Sequence, residues 1–565
     1  MKMHKFFVIG LDGSTFRIID PLMDSGKLPN LRRLKAEGSS GILRSTIHPY
    51  SAQAWSSFMT GMNPGKHGIY DFVHHEDGNY RLRFVNAADR KAHSIWKILS
   101  HHGLNVGVVN VPLTYPPEEV NGFLIAGMDS PGKASNFTYP RSILEELETR
   151  VGPYTIELNV RDYMRHGLEE QFLDDLKQMI RRQVRAVKNL MSTKEWDFFT
   201  FVSRAPDQVQ HFYWRFMDPA HPYRPKEVPS KLQNAIADVY GQLDAAIGEI
   251  EGMLGPDTYL LIISDHGQGP DGNRAFYINK WLRSVGYLSF KNENRNRALR
   301  RICGQETVSR SVDFLKGILP RKLKDSLLNR FPWLRDRVET ALSFSDIDFT
   351  NTLAYSEDVR GNIWINLKGR QREGMVDPGE YERVREEIIR LLKELRDPQT
   401  GEHLVDRVFR REDLYHGEFL SGAPDIIFTQ PADAYKHMLR RSRTDRDSMS
   451  SYIETLPESE IEIWPTSSHT LDGIFLLRGT GVNRGTWIDG ARIIDVAPTI
   501  LYLMGLPIPS DMDGSVIRGA IDPMLLEDRP PEKMPFRDAE SLRRPYTKGE
   551  EAIIGERLRN LGYLE

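Results

Sequence analysis

Three short apolar runs, each followed closely by polar residues, constrain the fold of this chain more than any other feature. They occupy residues 5–10 (KFFVIG), 197–202 (DFFTFV) and 258–263 (TYLLII). Nearly continuous apolar runs of this length are typical of strands whose two faces are both buried, as in a parallel sheet. Helical patterns alternate with them, so we expect an α/β fold in which helices cover both faces of a mainly parallel sheet.

Hydrophobic periodicity predicts the remaining elements. Apolar residues recur at helical spacing in the longer segments and alternate as in a strand in the shorter ones. The predicted helices are 16–23, 30–37, 52–59, 94–101, 168–191, 228–253, 378–395 and 549–564, and the further strands are 106–111, 361–367, 425–428 and 473–477. Residues 493–503 are expected to pass from a strand into a helix.

The domain organisation follows from where the α/β pattern is interrupted. Residues 291–330 carry eleven Lys or Arg against four Asp or Glu, and Pro320 and Pro332 interrupt the short helical patches of this region. We interpret this segment as an inserted, solvated cap, with a lid for anionic substrates or a membrane-surface patch as alternatives. The expected organisation is a catalytic core (1–285 and 431–525), a basic helical insertion (286–345), a small α+β subdomain (346–430) and a C-terminal tail with an amphipathic helix (526–565).

Composition narrows the function classes. The 565 residues are 40% hydrophobic and 27% charged, as in ordinary globular proteins. A net charge of −3 gives no sign of a polyanion-binding protein, so no stable nucleic acid complex is expected. Cys303 is the single cysteine, which excludes a disulfide within the chain and a thiolate metal cluster. Because neither a membrane span nor a signal peptide pattern is found, we expect a cytoplasmic protein.

Seven polar side chains stand after predicted strands, near helix starts or in loops where they could meet. Asp207 and His211 are four residues apart on one helical face, and Asp265 and His266 are adjacent in the turn after a strand. Ser51 is predicted to be the N-cap of the helix 52–59. The complete set is Asp12, Ser51, Asp207, His211, Asp265, His266 and His469.

The chemistry of this set indicates a metal centre. Three carboxylates and three imidazoles form two mixed N/O sites without sulfur, which suits zinc, with manganese or iron as alternatives. Two divalent ions a few ångströms apart can stabilise the attacking and leaving oxygens of a phosphoryl transfer. A serine beside such an ion loses its proton more readily and becomes a nucleophile. Taken singly, each residue would more often be a turn, a surface pair or a loop residue.

The order of these residues resembles the alkaline phosphatase superfamily, and within it the type I phosphodiesterase/nucleotide pyrophosphatase family. Residues 60–68 have the form T-G-x-x-P-x-x-H-G, which follows the nucleophile in that family, and counting back nine residues from Thr60 gives Ser51. The resemblance covers most of 4–270 and 460–515. It implies an alkaline-phosphatase-like fold and two divalent metal ions, one held by Asp12, Ser51, Asp265 and His266, the other by Asp207, His211 and His469.

The resemblance implies a hydrolase that cleaves phosphate diester or pyrophosphate bonds of a small molecule through a phosphoserine at Ser51. Ala54 stands where nucleotide pyrophosphatases carry an asparagine that helps to bind phosphate, so nucleotide specificity is not implied. The sulfatase signature C/S-x-P-x-R is absent after Ser51. The alternatives are a phosphomonoesterase, phosphonate hydrolase or phosphosugar mutase of the same superfamily, and a transferase or binding protein for anionic lipid or glycan head groups. The oligomeric state is left open.

Overall fold

The computed structural model describes residues 4–75, 78–132, 135–291, 347–356, 360–431, 436–439, 452–456, 465–536 and 546–561. The predicted basic insertion therefore lies outside the described residues from position 292 onward. None of the described helices is both long and apolar enough to cross a membrane.

The described strands are β1 (Lys5–Leu11), β2 (Ser39–Arg44), β3 (Val73–His75), β4 (Leu82–Phe84), β5 (Val106–Val109), β6 (Gly122–Ile125), β7 (Thr138–Tyr139), β8 (Phe198–Ser203), β9 (Thr258–Ile263), β10 (Gly267–Phe276), β11 (Ala354–Tyr355), β12 (Asn362–Ile365), β13 (Arg407–Arg410), β14 (Ile426–Thr429), β15 (Lys436–Leu439), β16 (Ile453–Thr455), β17 (Ser467–Thr470), β18 (Asp472–Arg478), β19 (Thr486–Arg492), β20 (Ile508–Pro509) and β21 (Lys533–Met534).

The described α-helices are α1 (Phe16–Asp24), α2 (Pro29–Glu37), α3 (Ser51–Thr60), α4 (Pro64–His67), α5 (Ile95–His101), α6 (Ser142–Val151), α7 (Val160–Arg165), α8 (Glu169–Thr193), α9 (Ala205–Met217), α10 (Ser230–Gln233), α11 (Ala235–Glu251), α12 (Ile278–Ser284), α13 (Tyr381–Glu394), α14 (Arg411–Leu414), α15 (Val496–Leu503), α16 (Pro523–Asp528) and α17 (Lys548–Asn560).

A nine-stranded sheet forms the core, in the order β19-β2-β18-β9-β1-β8-β5-β6-β7. Only β18 and β7 run antiparallel to their neighbours. Helices flank this sheet, with α8, α9 and α11 packed on one another and α3 packed on α5 and α15. The predicted α/β fold with a mainly parallel sheet is therefore confirmed.

The apolar runs 258–263, 5–10 and 197–202 form the neighbouring strands β9, β1 and β8. Gly10 of β1 lies opposite Val202 of β8 and Ile263 of β9, so the three strands end at the same level. In β1 every residue after Lys5 is buried, which explains its continuous apolar composition. The polar residues that follow these strands consequently meet at one edge of the sheet.

A second, smaller sheet lies in residues 347–430. Its strands follow the order β11-β12-β14-β13 and are all antiparallel. Helix α13 contributes Ile388 and Leu392 to a separate apolar cluster that also contains Ile363 and Ile426 of the sheet. The same cluster contains Phe276 of β10 and Trp281 and Leu282 of α12, so the described part of this segment packs against elements of the predicted catalytic core.

Three predictions of secondary structure differ from the structure in type or continuity. Residues 493–495 form a short 3-10 helix that leads into α15 and contain no strand, because the Asp495 carboxylate accepts the Arg492 backbone N–H and starts the helical turn early. The helix predicted over 228–253 is broken at Asn234 into α10 and α11. His469, predicted to lie in a loop, is part of β17, which pairs with β10.

Candidate metal centre

Asp12, Asp265 and His266 meet where adjacent strands end. Asp12 follows β1, and Asp265 and His266 follow β9, its parallel neighbour. All three side chains are fully buried, and His266 Nε2 lies 3.6 Å from Asp12 Oδ1 and 3.4 Å from Asp265 Oδ2. The Gly13 backbone N–H donates to Asp265 Oδ1 at 3.4 Å. The parallel pairing of two predicted strands thus brings these ligand atoms together.

Ser51 joins this group from helix α3. The helix begins at Ser51 itself and its N-cap is Tyr50, so the N-cap prediction for Ser51 is wrong by one residue. The Ser51 hydroxyl lies 3.5 Å from Asp12 Oδ1 and 3.3 Å from His266 Nε2. A residue in the first turn of a helix lies in the positive end of the helix dipole, where an anion is favoured.

Asp207, His211 and His469 form a second group beside the first. Asp207 and His211 lie one turn apart on α9, whose first turn contains Pro206. Asp207 Oδ1 is 3.1 Å from His211 Nε2 and 3.3 Å from His469 Nε2. The two Nε2 atoms are 3.0 Å apart. One oxygen and two nitrogens therefore converge on a single point.

The pairing of β17 with β10 explains how His469 reaches the site from so far along the chain. His469 lies opposite Gln268, two residues after His266. Its ring stacks on that of His266, with the ring centroids 3.6 Å apart and an angle of 18° between the planes. The structure thus brings together all seven residues that the sequence singled out.

Backbone carbonyls orient the three imidazoles. His266 Nδ1 lies 2.9 Å from the Gly267 carbonyl oxygen, and His469 Nδ1 lies 2.8 Å from that of Pro49. His211 Nδ1 lies 2.9 Å from the Ser467 carbonyl oxygen and 3.1 Å from the Gln268 amide nitrogen. A proton held on Nδ1 by a carbonyl leaves the Nε2 lone pair directed at the carboxylates, as in metal-binding histidines.

Burial sets the protonation of the first group. It raises the pKa of Asp12 to about 6 and lowers that of His266 to about 4. It also raises the pKa of Asp265 well above the usual value, and the charges of Asp12 and Asp207 add to this effect. Crowded, desolvated carboxylates repel one another and are stabilised by a cation, whereas a neutral imidazole can act as a ligand.

In the second group, one carboxylate is held ionised. Burial acts to raise the pKa of Asp207, but His211 and Arg204 hold it well below its usual value. Burial acts to lower the pKa of His211, and the Asp207 charge raises it above the usual value. Burial lowers the pKa of His469 to about 3, so this imidazole is neutral.

The residues present fit divalent cations. Asp265 Oδ2 is buried and accepts no hydrogen bond from the described residues, although buried carboxylate oxygens normally have such a partner. Ligand atoms within 4.8 Å of one another are offered by two groups, Asp207–His211–His469 and Asp12–Asp207–His266. Asp207 belongs to both groups. Buried imidazole and carboxylate donors without sulfur suit zinc and other first-row divalent ions.

Sequence reasoning missed two residues that contact these ligands and a third that pairs with one of the two. The Trp55 indole N–H donates to Asp12 Oδ2 at 3.0 Å. The Arg204 guanidinium lies between Asp12 and Asp207, and Glu157 pairs with it from the other side. The available signal was the position of Arg204, which directly follows β8 and precedes the Asp207-x-x-x-His211 spacing.

His67, which ends the T-G-x-x-P-x-x-H segment, has a structural role. It is fully buried, its Nε2 lies 3.0 Å from Ser57 Oγ, and its Nδ1 accepts the Ile69 backbone N–H at 3.1 Å. Neighbouring Lys66 pairs with Asp513. Both side chains are thus engaged outside the two groups of ligands.

Comparison with known proteins gives a match over most of the chain. Residues 6–449 match the profile of the family described as type I phosphodiesterase/nucleotide pyrophosphatase. A 53-residue stretch, 9% of this chain, is 40% identical to the 2,3-bisphosphoglycerate-independent phosphoglycerate mutase of Bacteroides thetaiotaomicron. The matched stretch spans 10% of the length of the mutase.

Solved structures with a similar fold extend over nearly the whole chain. The phosphonoacetate hydrolase of Sinorhizobium meliloti 1021, in complex with phosphonoformate, is 14% identical, with a TM-score of 0.52 over 89% of this chain and 95% of that one. Human ectonucleotide pyrophosphatase/phosphodiesterase 5 is 12% identical, with a TM-score of 0.48 over 90% and 97% of the two chains. At 14% identity, the likeness to the phosphonoacetate hydrolase concerns the fold alone.

Proposed function

The chain belongs to the type I phosphodiesterase/nucleotide pyrophosphatase family, and from this premise we propose that it cleaves phosphate diester or pyrophosphate bonds with Ser51 as nucleophile at a two-metal site. The resemblance inferred from the sequence motifs is confirmed by the family match. The protein is accordingly an enzyme, a metal-dependent hydrolase of phosphoric esters. The metal count, the metal identity and the covalent intermediate are the parts that we propose.

One observation carries the proposal: a serine hydroxyl lies at a helix N-terminus among six buried ligand side chains. Ser51 Oγ is 3.3 Å from His266 Nε2, and the His266 ring stacks on that of His469 in the neighbouring group. A nucleophile is useful at this position because both groups of ligands can act on one phosphoryl group. An ordinary capping serine would need none of these neighbours.

We assign the ligands by their grouping. Asp207, His211 and His469 would hold one ion, and Asp12, Ser51, Asp265 and His266 the other, as the family resemblance implies. The structure groups Asp207 with His211 and His469, and also with Asp12 and His266. One to three carboxylates with one or two imidazoles per site favour Zn²⁺, with Mn²⁺ or iron as alternatives. When bound, such ions favour loss of the Ser51 proton and offset the charge on the phosphoryl oxygens.

The side chains of the protein then perform the reaction in two steps. Ser51 Oγ attacks phosphorus in line, the bond from phosphorus to the ester oxygen breaks, and the leaving group departs as an alkoxide or phosphate. Water then attacks the phosphoserine, the bond between phosphorus and Ser51 Oγ breaks, and phosphate or its monoester is released. The carbonyl-anchored imidazoles keep the ligand atoms in place, and the first turn of α3 favours the anionic substrate.

Replacement of Ser51 by alanine tests this assignment. We expect S51A to lose activity about a thousandfold or more while it binds nearly as much metal, because the six other ligands remain. Ser56→Ala is the matched control, since Ser56 is also buried on α3 but belongs to neither group of ligands. Activity is measured on aryl phosphate diesters, monoesters, phosphonates and sulfates, with and without a chelator.

The outcomes separate the functional alternatives. Preference for the diester, together with a phosphorylated Ser51 peptide in acid-quenched reactions, supports the proposal. Preference for the monoester or phosphonate would make the protein another hydrolase of the superfamily, and full activity of S51A would refute the nucleophile assignment. Metal binding without turnover of any substrate would favour a transferase or binding protein.

A further inference from the structure

Arg204 touches both groups of proposed metal ligands. It lies between the end of β8 and the start of α9, and its side chain is 5% exposed. Its Nε is 3.5 Å from Asp12 Oδ2, and its Nη2 donates to Asp207 Oδ2. One guanidinium thus lies against a carboxylate that follows the sheet strand β1 and a carboxylate from helix α9.

Glu157 holds Arg204 from the opposite side. Arg204 Nη1 donates to Glu157 Oε1, and the Glu157 side chain is 3% exposed. Side-chain amides fix the backbone around it: Gln183 Nε2 donates to the carbonyl oxygens of residues 155 and 156 at 3.0 and 2.9 Å, and Gln208 Nε2 donates to that of Leu158 at 3.0 Å. The carboxylate is therefore built into the segment that precedes α7 and is directed at Arg204.

Charge explains why both residues are needed. A planar guanidinium can bind several carboxylates in a fixed geometry, which the point charge of a lysine cannot do. A positive charge so close to a cation site also repels the cations, and a buried charge without compensation is costly. Ionised Glu157 offsets part of the charge of Arg204 and so limits the repulsion between Arg204 and a bound cation.

We propose that Arg204 and Glu157 act together as positioning residues, a charge-balanced pair that fixes the spacing of Asp12 and Asp207 for two cations. This inference rests on the proposed metal centre. It concerns the geometry and affinity of that centre, and neither residue is assigned a contact with the substrate.

Co²⁺ binding to the full-length protein tests the pair. The dissociation constants and the visible absorption spectrum are measured for wild type, E157Q and the double variant R204Q/E157Q, with thermal unfolding to confirm that each is folded. We expect E157Q to bind at least one Co²⁺ about tenfold more weakly or worse, because the Arg204 charge is no longer offset. The double variant removes both charges, so its dissociation constant should lie between those of wild type and E157Q. Glu145→Gln, an exposed change on α6, is the control and should bind as wild type does.

A wild-type dissociation constant in E157Q, or a double variant that binds more weakly than E157Q, would overturn the inference. If E157Q does not fold, E157D is used instead, because it keeps the charge but shortens the side chain. The Co²⁺ spectrum of E157D is then expected to differ from that of wild type. A wild-type spectrum and affinity in E157D would overturn the proposal. Wild-type protein that binds no Co²⁺ would instead refute the metal centre itself. The two failures are therefore distinguishable.

Discussion

Protonation of His67 offers a quantitative test of how the segment after the nucleophile helix is held. Burial, together with the charge of Arg90, lowers the pKa of His67 to about 3. The hydrogen bonds agree, because Nδ1 accepts the Ile69 N–H and cannot carry a proton without losing that bond. His67→Gln replaces the imidazole with a neutral side chain that does not titrate.

The sign of the effect follows from proton linkage. Below its unfolded pKa of about 6.5, His67 takes up a proton in the unfolded state but not in the folded state. Stability is therefore fully present above that pH and is lost as the pH falls toward the folded pKa of about 3. Between pH 7.5 and pH 5.0 the linkage relation gives a loss of about 2 kcal/mol from this residue alone.

Urea unfolding at both pH values, with excess chelator to remove any contribution from metal release, measures this loss. Other titrating groups contribute equally to both proteins and cancel in the comparison. The unfolding free energy of wild type should fall by about 2 kcal/mol more than that of H67Q between pH 7.5 and pH 5.0. Equal falls in the two proteins would show that His67 is protonated in the folded state, and would refute its assignment as a neutral structural residue.

Two further substitutions probe the contact between Trp55 and Asp12. Trp55→Phe removes the indole donor to Asp12 and should weaken Co²⁺ binding about tenfold. The control Trp96→Phe removes a similar indole hydrogen bond to Glu118, and should reduce stability without changing the affinity for Co²⁺. Gly10→Ala would place a Cβ 2.5 Å from the Trp55 ring and should therefore both destabilise the fold by about 1–3 kcal/mol and weaken Co²⁺ binding. In the matched variant Gly107→Ala the Cβ would meet Phe123 at 2.6 Å, so a loss of metal affinity there would contradict the proposed link to Asp12.

The sequence predicted those parts of the site that follow from strand order. Asp12 and Asp265 come directly after apolar runs, and such runs become adjacent parallel strands whose ends lie at the same edge. The pair Asp207 and His211 needed only helical spacing. Each of these inferences uses local pattern and the general geometry of α/β sheets, so the chain alone was sufficient.

The position of His469 in the fold could not be predicted from local sequence patterns. Its position depends on the pairing of β17 with β10, two segments almost two hundred residues apart whose register is set by tertiary contacts. Neither segment alternates clearly between apolar and polar residues. In particular, β10 begins with Gly267 and contains two further glycines and a proline. His469 was a candidate by its residue type, and the family resemblance implied its role as a metal ligand, but nothing in the local sequence indicated a strand.

Arg204 and Glu157 were missed for a different reason. Ligands can be recognised by residue type because a metal centre of this kind uses carboxylates and imidazoles, whereas the groups that orient ligands can be almost any polar residue. Arg204 is a charged side chain after a strand, and Glu157 lies in a segment without regular structure, so a surface position is the default expectation for both. Only the fold shows that they are buried against each other. A buried ion pair often adds little to stability, because both charges must be removed from water. The location of this pair beside a cluster of carboxylates therefore favours a role in positioning the metal ligands.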